Sequence, residues 1–292
     1  MLCNLNKQAH FQNLKRQILE ASKAILYVNF IEEVRQTHPG MGLRTIYERF
    51  HPENIGRDAF IHLGVDHGYA LNEVIKSTRT TFSTKSNRYK NLASGRRFTD
   101  VNQIWSGDLT YFGLPNGTFL YIVFIMDVYS RRIIGYSAAD NMRAENNIQA
   151  LQMALATRGT ANYQEQLVHH SDRGSQYISD NYTEILEKYG ILISMCTEVY
   201  ENPHIERVNG IIKNDYLKYW KIPDLTTLIK MLEKAVNAYN YDKPHASLPS
   251  KMSPIEFELA LLSGTITKRP ILEIFTYDRR NNQNPNQLEL PF

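Results

Sequence analysis

The chain of 292 residues, 42% apolar and 22% charged, is long enough to bury at least one sizeable core and ordinary enough in composition to be globular. No run of roughly 20 apolar residues marks a membrane span, and the stretch holding Asn4, Lys7, Gln8 and His10 lacks a signal-peptide core, so a cytoplasmic location is expected. Cys3 and Cys196 cannot build a disulfide framework, and no Cys-x-x-Cys pair joins the nine histidines as structural zinc would require.

Phe11, Leu14, Ile18, Ala21, Ile25 and Val28 recur at alternating steps of three and four, which predicts a helix over residues 8 to 37. The stripe suits either an ordinary packing helix or a dimerising coiled coil. His38-Pro39-Gly40-Met41-Gly42 breaks it. Short helices around Leu43, Ile46, Tyr47 and Phe50 and from Arg57 to about His67 then complete a helix-turn-helix-like DNA-binding unit, assigned to residues 1 to 75. A linker, residues 76 to 99, follows. It has no acidic residue, and Lys76, Arg79, Lys85, Arg88, Lys90, Arg96 and Arg97 suit it to a phosphate backbone, although a solvated linker would look similar.

The texture becomes strand-like at Gln103. Ile104 to Phe112, Phe119 to Val128 and Arg131 to Ala139 read as three strands joined by tight turns. A helix on Ala144, Ile148, Leu151 and Leu155, a strand from Leu167 to Ser171, a helix from Tyr182 to Tyr189 and a strand from Ile191 to Cys196 follow. The order is that of an α/β protein with a mixed five-stranded sheet flanked by helices, its core spanning residues 100 to 262. Asn202 and Pro203 predict the cap and first position of the next helix, with Glu206 in its first turn and Ile205, Val208, Ile212, Tyr216 and Tyr219 inward. On an ideal helix Glu206 and Lys213 lie within about 20° of each other. Another helix follows Asp224. Residues 263 to 292 lose periodicity, and Arg279 to Asn286 reads as disordered.

Three acidic residues sit in distinctive words: Asp108 in Trp-Ser-Gly-Asp-Leu-Thr-Tyr, Asp172 in His-His-Ser-Asp-Arg-Gly-Ser-Gln-Tyr, and Glu206 in Tyr-Glu-Asn-Pro-His-Ile-Glu-Arg. Two strand-borne aspartates and a helix-borne glutamate would repel one another without a cation. With two Mg²⁺ ions, for which Mn²⁺ can substitute, they activate a water or a DNA 3′-hydroxyl and stabilise the leaving oxygen of an in-line displacement. Asp108 is the expected bridging ligand. Asp127, in Met-Asp-Val-Tyr-Ser-Arg, is expected instead to cap the turn after its strand.

These words, with Met-Asp-Val-Tyr-Ser-Arg-Arg-Ile-Ile-Gly-Tyr and Tyr-Asn-Tyr-Asp-Lys-Pro-His-Ala-Ser-Leu, fall in one order over residues 100 to 257. There the chain resembles bacterial insertion-sequence transposases with a retroviral-integrase-like catalytic core, and residues 31 to 71 resemble that family's N-terminal segment. The resemblance implies a ribonuclease-H-like fold, Mg²⁺ dependence, cleavage at element ends and transfer of the 3′-hydroxyls into target DNA. It further implies catalytic roles for Asp108, Asp172 and Glu206, DNA contact by Lys213, homo-oligomers on DNA, an upstream-frame partner or fusion, and action at the bacterial nucleoid. The 33 residues between Asp172 and Glu206 are a couple fewer than in near relatives, and Glu201 and Pro203 depart from the usual word. Glu198 and Glu201 are poorer third ligands than Glu206.

The final Gln287, Leu288, Leu290 and Phe292 resemble the short motif by which replication proteins bind the sliding clamp; folding back onto the core is the alternative. Competing functions are a nuclease of the same fold and a catalytically inactive DNA-binding regulator.

Overall fold

The structure, a computed structural model, describes residues 7–71, 89–159, 166–196 and 202–274. The linker residues Lys76, Arg79, Lys85 and Arg88 and the tail residues Gln287, Leu288, Leu290 and Phe292 lie outside them. Two compact units emerge, one holding the N-terminal helices together with Asn214–Tyr219, the other holding the sheet.

In the first unit, α1 (Lys7–Thr37), α2 (Leu43–Phe50) and α3 (Arg57–Asp66) share a core of Tyr27, Ile31, Val34, Leu43, Ile46 and Phe60. The expected stripe is not the buried face of α1: Phe11, Ile18 and Ile25 are 64%, 59% and 62% exposed, and burial begins at Tyr27, Ile31 and Val34. Length explains the difference. A 31-residue helix is about 46 Å long, whereas partners of 8 and 10 residues reach about 12 and 15 Å. Asn214–Tyr219 completes the unit: the Asp215 carbonyl accepts from the Gly40 amide at 2.8 Å, and His38 Nδ1 meets the Tyr216 hydroxyl at 3.0 Å. A Cβ on Gly40 would sit 2.6 Å from Asp215 Cα, so this approach requires glycine.

The second unit contains β1 (Arg97–Phe98), β2 (Ile104–Gly113), β3 (Phe119–Asp127), β4 (Ile133–Ala139), α4 (Ala144–Arg158), β5 (Val168–Ser171), α5 (Asp180–Lys188), β6 (Leu192–Met195), α6 (Pro203–Ile211), α7 (Leu225–Tyr241), α8 (Pro254–Leu262) and β7 (Leu272–Glu273). The five-stranded sheet has the order β4-β3-β2-β5-β6, with β3 antiparallel to both neighbours and the other pairings parallel. This is the ribonuclease-H-like arrangement. β3 is buried from Ile122 through Asp127, as a central strand covered on both faces should be. α4 lies close on the sheet, where a Cβ on Gly135 would sit 2.1 Å from the Ala150 carbonyl oxygen.

Three features differ from the sequence expectation. β1 and β7 pair antiparallel, so the chain beyond Gly264 contributes a short strand at Leu272–Glu273. α8 begins with a capping box between Ser253 and Glu256 that periodicity alone did not reveal. The helix predicted to run from Pro203 to Tyr219 changes type: α-helical to Ile211, it takes a π turn over Ile212–Tyr216 and a 3₁₀ turn over Leu217–Tyr219. Tyr219 is therefore 41% exposed rather than inward. Among the described residues, no helix is long and apolar enough to cross a membrane.

Candidate active site

The site begins with strand register. β2 and β5 run parallel and pair Gly107 with Ser171, so Asp108 and Asp172 each follow by one residue on adjacent strands, about 4.8 Å apart. Gly107 fits because a Cβ there would press to 3.2 Å from the His169 ring and 3.3 Å from Tyr177. After β5 the backbone turns sharply, and Asp172 Oδ1 accepts from the Gly174 amide at 2.9 Å.

α6 brings the third carboxylate. Pro203 opens it, Ile205 and Val208 bury one face, and Glu206 occupies the first turn on an exposed face. Asn202 stands at the expected cap position but does not cap. Its amide instead crosses to β2, donating to the Gly107 carbonyl at 3.2 Å and accepting from the Ser106 hydroxyl. One turn beyond Glu206, Asn209 Nδ2 donates to Asp108 Oδ2 at 2.6 Å. Lys213, at the start of the π turn, donates to Thr110 Oγ1 at 2.7 Å and lies 5.4 Å from the Tyr111 ring centroid. Asn202, Asn209 and Lys213 thus fasten α6 along β2 from Ser106 to Thr110.

Charge at the site is unbalanced. Burial, then repulsion from Asp172 and Glu206, pushes the Asp108 carboxyl up to about 8, against the Leu109 amide and Asn209. Burial raises Asp172 as well, opposed by the Gly174 amide. Burial lowers the Lys213 ammonium, partly offset by Asp108. Oxygen donors in this state match the chemistry of a hard divalent cation, although among the described residues no three His, Cys, Asp or Glu side chains are grouped to hold one ion.

The remaining sequence candidates are scattered. Lys90 is exposed, Arg96 stacks 5.9 Å from the Phe98 ring centroid, and Arg97 is paired with Glu273 at 2.6 Å. Asp127 caps its turn as expected, accepting from the Tyr129 and Ser130 amides at 3.0 and 3.2 Å. It also belongs to a buried ionic network that sequence reasoning missed: Arg158 Nη2 reaches Asp127 at 3.0 Å and Glu258 at 2.7 Å, and Arg132 Nη1 reaches Glu258 at 2.7 Å. Asn209 was also missed, although its place one turn after Glu206 is a readable signal.

Residues 99–199 match the integrase core domain family, and a second integrase core domain family matches residues 194–253. Among curated proteins, the chain is 34% identical over 162 residues to the insertion element IS600 uncharacterized 31 kDa protein of Shigella sonnei, covering 54% of this chain and 58% of that one. It is 35% identical over 156 residues to the transposase for insertion sequence element IS629 of Shigella sonnei, covering 50% and 49%. It is 34% identical over 150 residues to the putative transposase for IS986/IS6110 of Mycobacterium tuberculosis, covering 49% and 53%. Of solved structures, the HTLV-2 integrase catalytic core domain in complex with magnesium aligns with a TM-score of 0.44 and 23% identity, over 58% of this chain and 99% of that one.

Fold and family matches together define an integrase core domain of ribonuclease-H-like class. The chain carries an integrase core domain over residues 99–253 and is similar there to bacterial insertion-sequence transposases. It spans about half the length of the curated relatives it matches.

Proposed function

We propose that the chain is a DNA transposase that cleaves insertion-element ends and transfers the freed 3′-hydroxyls to target DNA, with Asp108, Asp172 and Glu206 holding divalent metal. The observation that carries this reading is the parallel pairing of Gly107 with Ser171, which brings Asp108 and Asp172 side by side, with Asn209 of α6 donating to Asp108 one turn after Glu206. Among the described residues, no three His, Cys, Asp or Glu side chains are grouped to hold one ion. Asp108, Asp172 and Glu206 would therefore hold metal in smaller groups rather than as three ligands of one ion. Mg²⁺ or Mn²⁺ there would supply Lewis acidity for both the attacking and the leaving oxygen.

The protein's own groups do the rest. Asn209 holds one Asp108 oxygen in place and leaves the other lone pairs for metal. Lys213, anchored on Thr110, sets a cation beside the carboxylates where a DNA phosphate would pass. We further infer cytoplasmic action on bacterial DNA, oligomers on that DNA, an upstream-frame partner that recognises element ends, and clamp binding through Gln287, Leu288, Leu290 and Phe292. Lys76, Arg79, Lys85, Arg88, Lys90 and Arg96 would add sequence-independent DNA affinity.

The test incubates the full chain, with and without its upstream-frame partner, with labelled element ends and Mg²⁺. Joined products should form and fall about 10³-fold in Asp108→Asn, the equivalent of about 4 kcal/mol of lost transition-state stabilisation. Hydrolysis without joining would make the chain a nuclease. No turnover with DNA binding intact would make it a regulator.

A further inference from the structure

A second group of polar side chains, unused by the carboxylate site, gathers around the turn between β3 and β4. Arg131 occupies that turn at φ 65, a left-handed conformation that residues with a Cβ seldom take. Its carbonyl accepts from the Tyr239 hydroxyl at 3.0 Å, and the Tyr239 ring meets the His245 ring edge-on at 4.9 Å between centroids. From α6, Arg207 adds its charge, acting on Arg131, Tyr239 and His245; it lies about 100° around the helix from Glu206.

The group is cationic and short of acceptors. Burial, then Lys243, Arg131 and Arg207, lowers His245 to about 3. That ring is therefore neutral, and the charge comes from Arg131, Arg207 and Lys243. Asp127 acts on Arg131 but is already engaged, its Oδ1 by the Tyr129 and Ser130 amides and its Oδ2 by the Asn102 amide and Arg158. Arg131 Nη1 and His245 Nε2 are buried without any hydrogen-bond partner. Buried polar groups are almost always satisfied; Arg131 Nη1 can only donate and calls for an external acceptor, as His245 also does in its Nε2–H tautomer.

We propose that Arg131, Arg207 and His245 form an anion pocket that binds a backbone phosphodiester of DNA beside the phosphate being cut. The guanidinium forks and the imidazole N–H suit the non-bridging oxygens of a phosphate. That the phosphate comes from DNA rests on the transposase reading; the pocket's chemistry does not.

The experiment measures binding of the full chain to a labelled linear duplex in EDTA by fluorescence anisotropy, from 50 to 300 mM salt. Arg207→Gln should flatten the slope of log K against log salt by about 0.9 and weaken binding about eight-fold at 0.1 M. His245→Asn, which removes no charge, should weaken binding about ten-fold and leave the slope unchanged. The double variant should lose less than the product of the two, because both contact one anion. Melting curves confirm that each variant is folded, and the test does not depend on replacing the more buried Arg131. An unchanged slope in Arg207→Gln, or losses that multiply independently, overturns the pocket. If inorganic phosphate at constant ionic strength raises the wild-type melting temperature while duplex binding ignores both variants, the site takes a small free anion and the DNA assignment falls. Duplex binding that follows these variants without any joined products would keep the pocket and sink the transposase reading instead.

Discussion

Two clusters of carboxylates in the sheet-bearing unit face opposite electrostatic fates. Asp127 and Glu258 are enclosed with Arg158, whose side chain is 7% exposed, and with Arg132. Although burial alone would raise Glu258, hydrogen bonds from Arg158 and Ser130 and the nearby Arg132 carry it below the ordinary carboxylate range. Asp127, wholly buried, is still raised by burial, but Arg158 works against the rise. Asp108 is instead driven up, by burial and then by Asp172 and Glu206, with the Leu109 amide and Asn209 opposing. The contrast separates carboxylates matched by arginines from carboxylates raised by their setting. The proposed metal would supply to the second cluster what Arg158 and Arg132 supply to the first.

Breaking the balanced cluster should have the largest effect. Arg158→Met leaves two buried carboxylates without their shared guanidinium and should cost about 3–5 kcal/mol, read as a lower urea midpoint at constant m-value. A loss below 1 kcal/mol would show that the network is not what holds α4, β3 and α8 together.

The unbalanced cluster should respond to pH in the opposite sense from a normal salt bridge. Asp108 is raised from its ordinary value near 3.8 to about 8, so the folded state binds more protons than the unfolded one between those limits. Its contribution is fully present below about pH 4 and is lost as pH rises through about 8. Without metal, thermal melts should lose about 2–3 kcal/mol between pH 5 and 7, at no more than about 1.4 kcal/mol per unit. Asp108→Asn should remove most of that slope, and Mg²⁺ should flatten it in the wild type. A wild-type curve already flat without metal would mean the carboxylates do not repel.

The smallest expected effect sharpens the comparison further. Asn209→Ala removes the one amide that steadies Asp108 from α6 and should weaken Mg²⁺ binding about ten-fold by calorimetry, with folding intact because alanine suits the helix. Wild-type affinity in that variant would make the contact incidental.

Much of this was readable from the chain. Strand and helix order followed from changes of period, and the pairing of Gly107 with Ser171 sets Asp108 one residue beyond it on β2 and Asp172 just past the end of β5. Long-range partners were not readable. Periodicity marks which residues face inward, but not that Arg158 meets Asp127 and Glu258, or that Asn202 turns from its helix to bind β2. The switch from α to π geometry at Ile212 likewise leaves no local signature. The concern over the short segment between Asp172 and Glu206 also changes character. Asn202 and Asn209 tie α6 directly to β2, so the placement of Glu206 does not rest on the preceding loop alone.

The N-terminal unit draws Asn214–Tyr219 from a point far along the chain. During synthesis, the amide of Gly40 therefore waits for the carbonyl of Asp215, and His38 waits for Tyr216, until the ribosome has passed both. Helices made before residue 70 are thus finished only after residues 214 to 219 have emerged, and their closure is a late, non-local step.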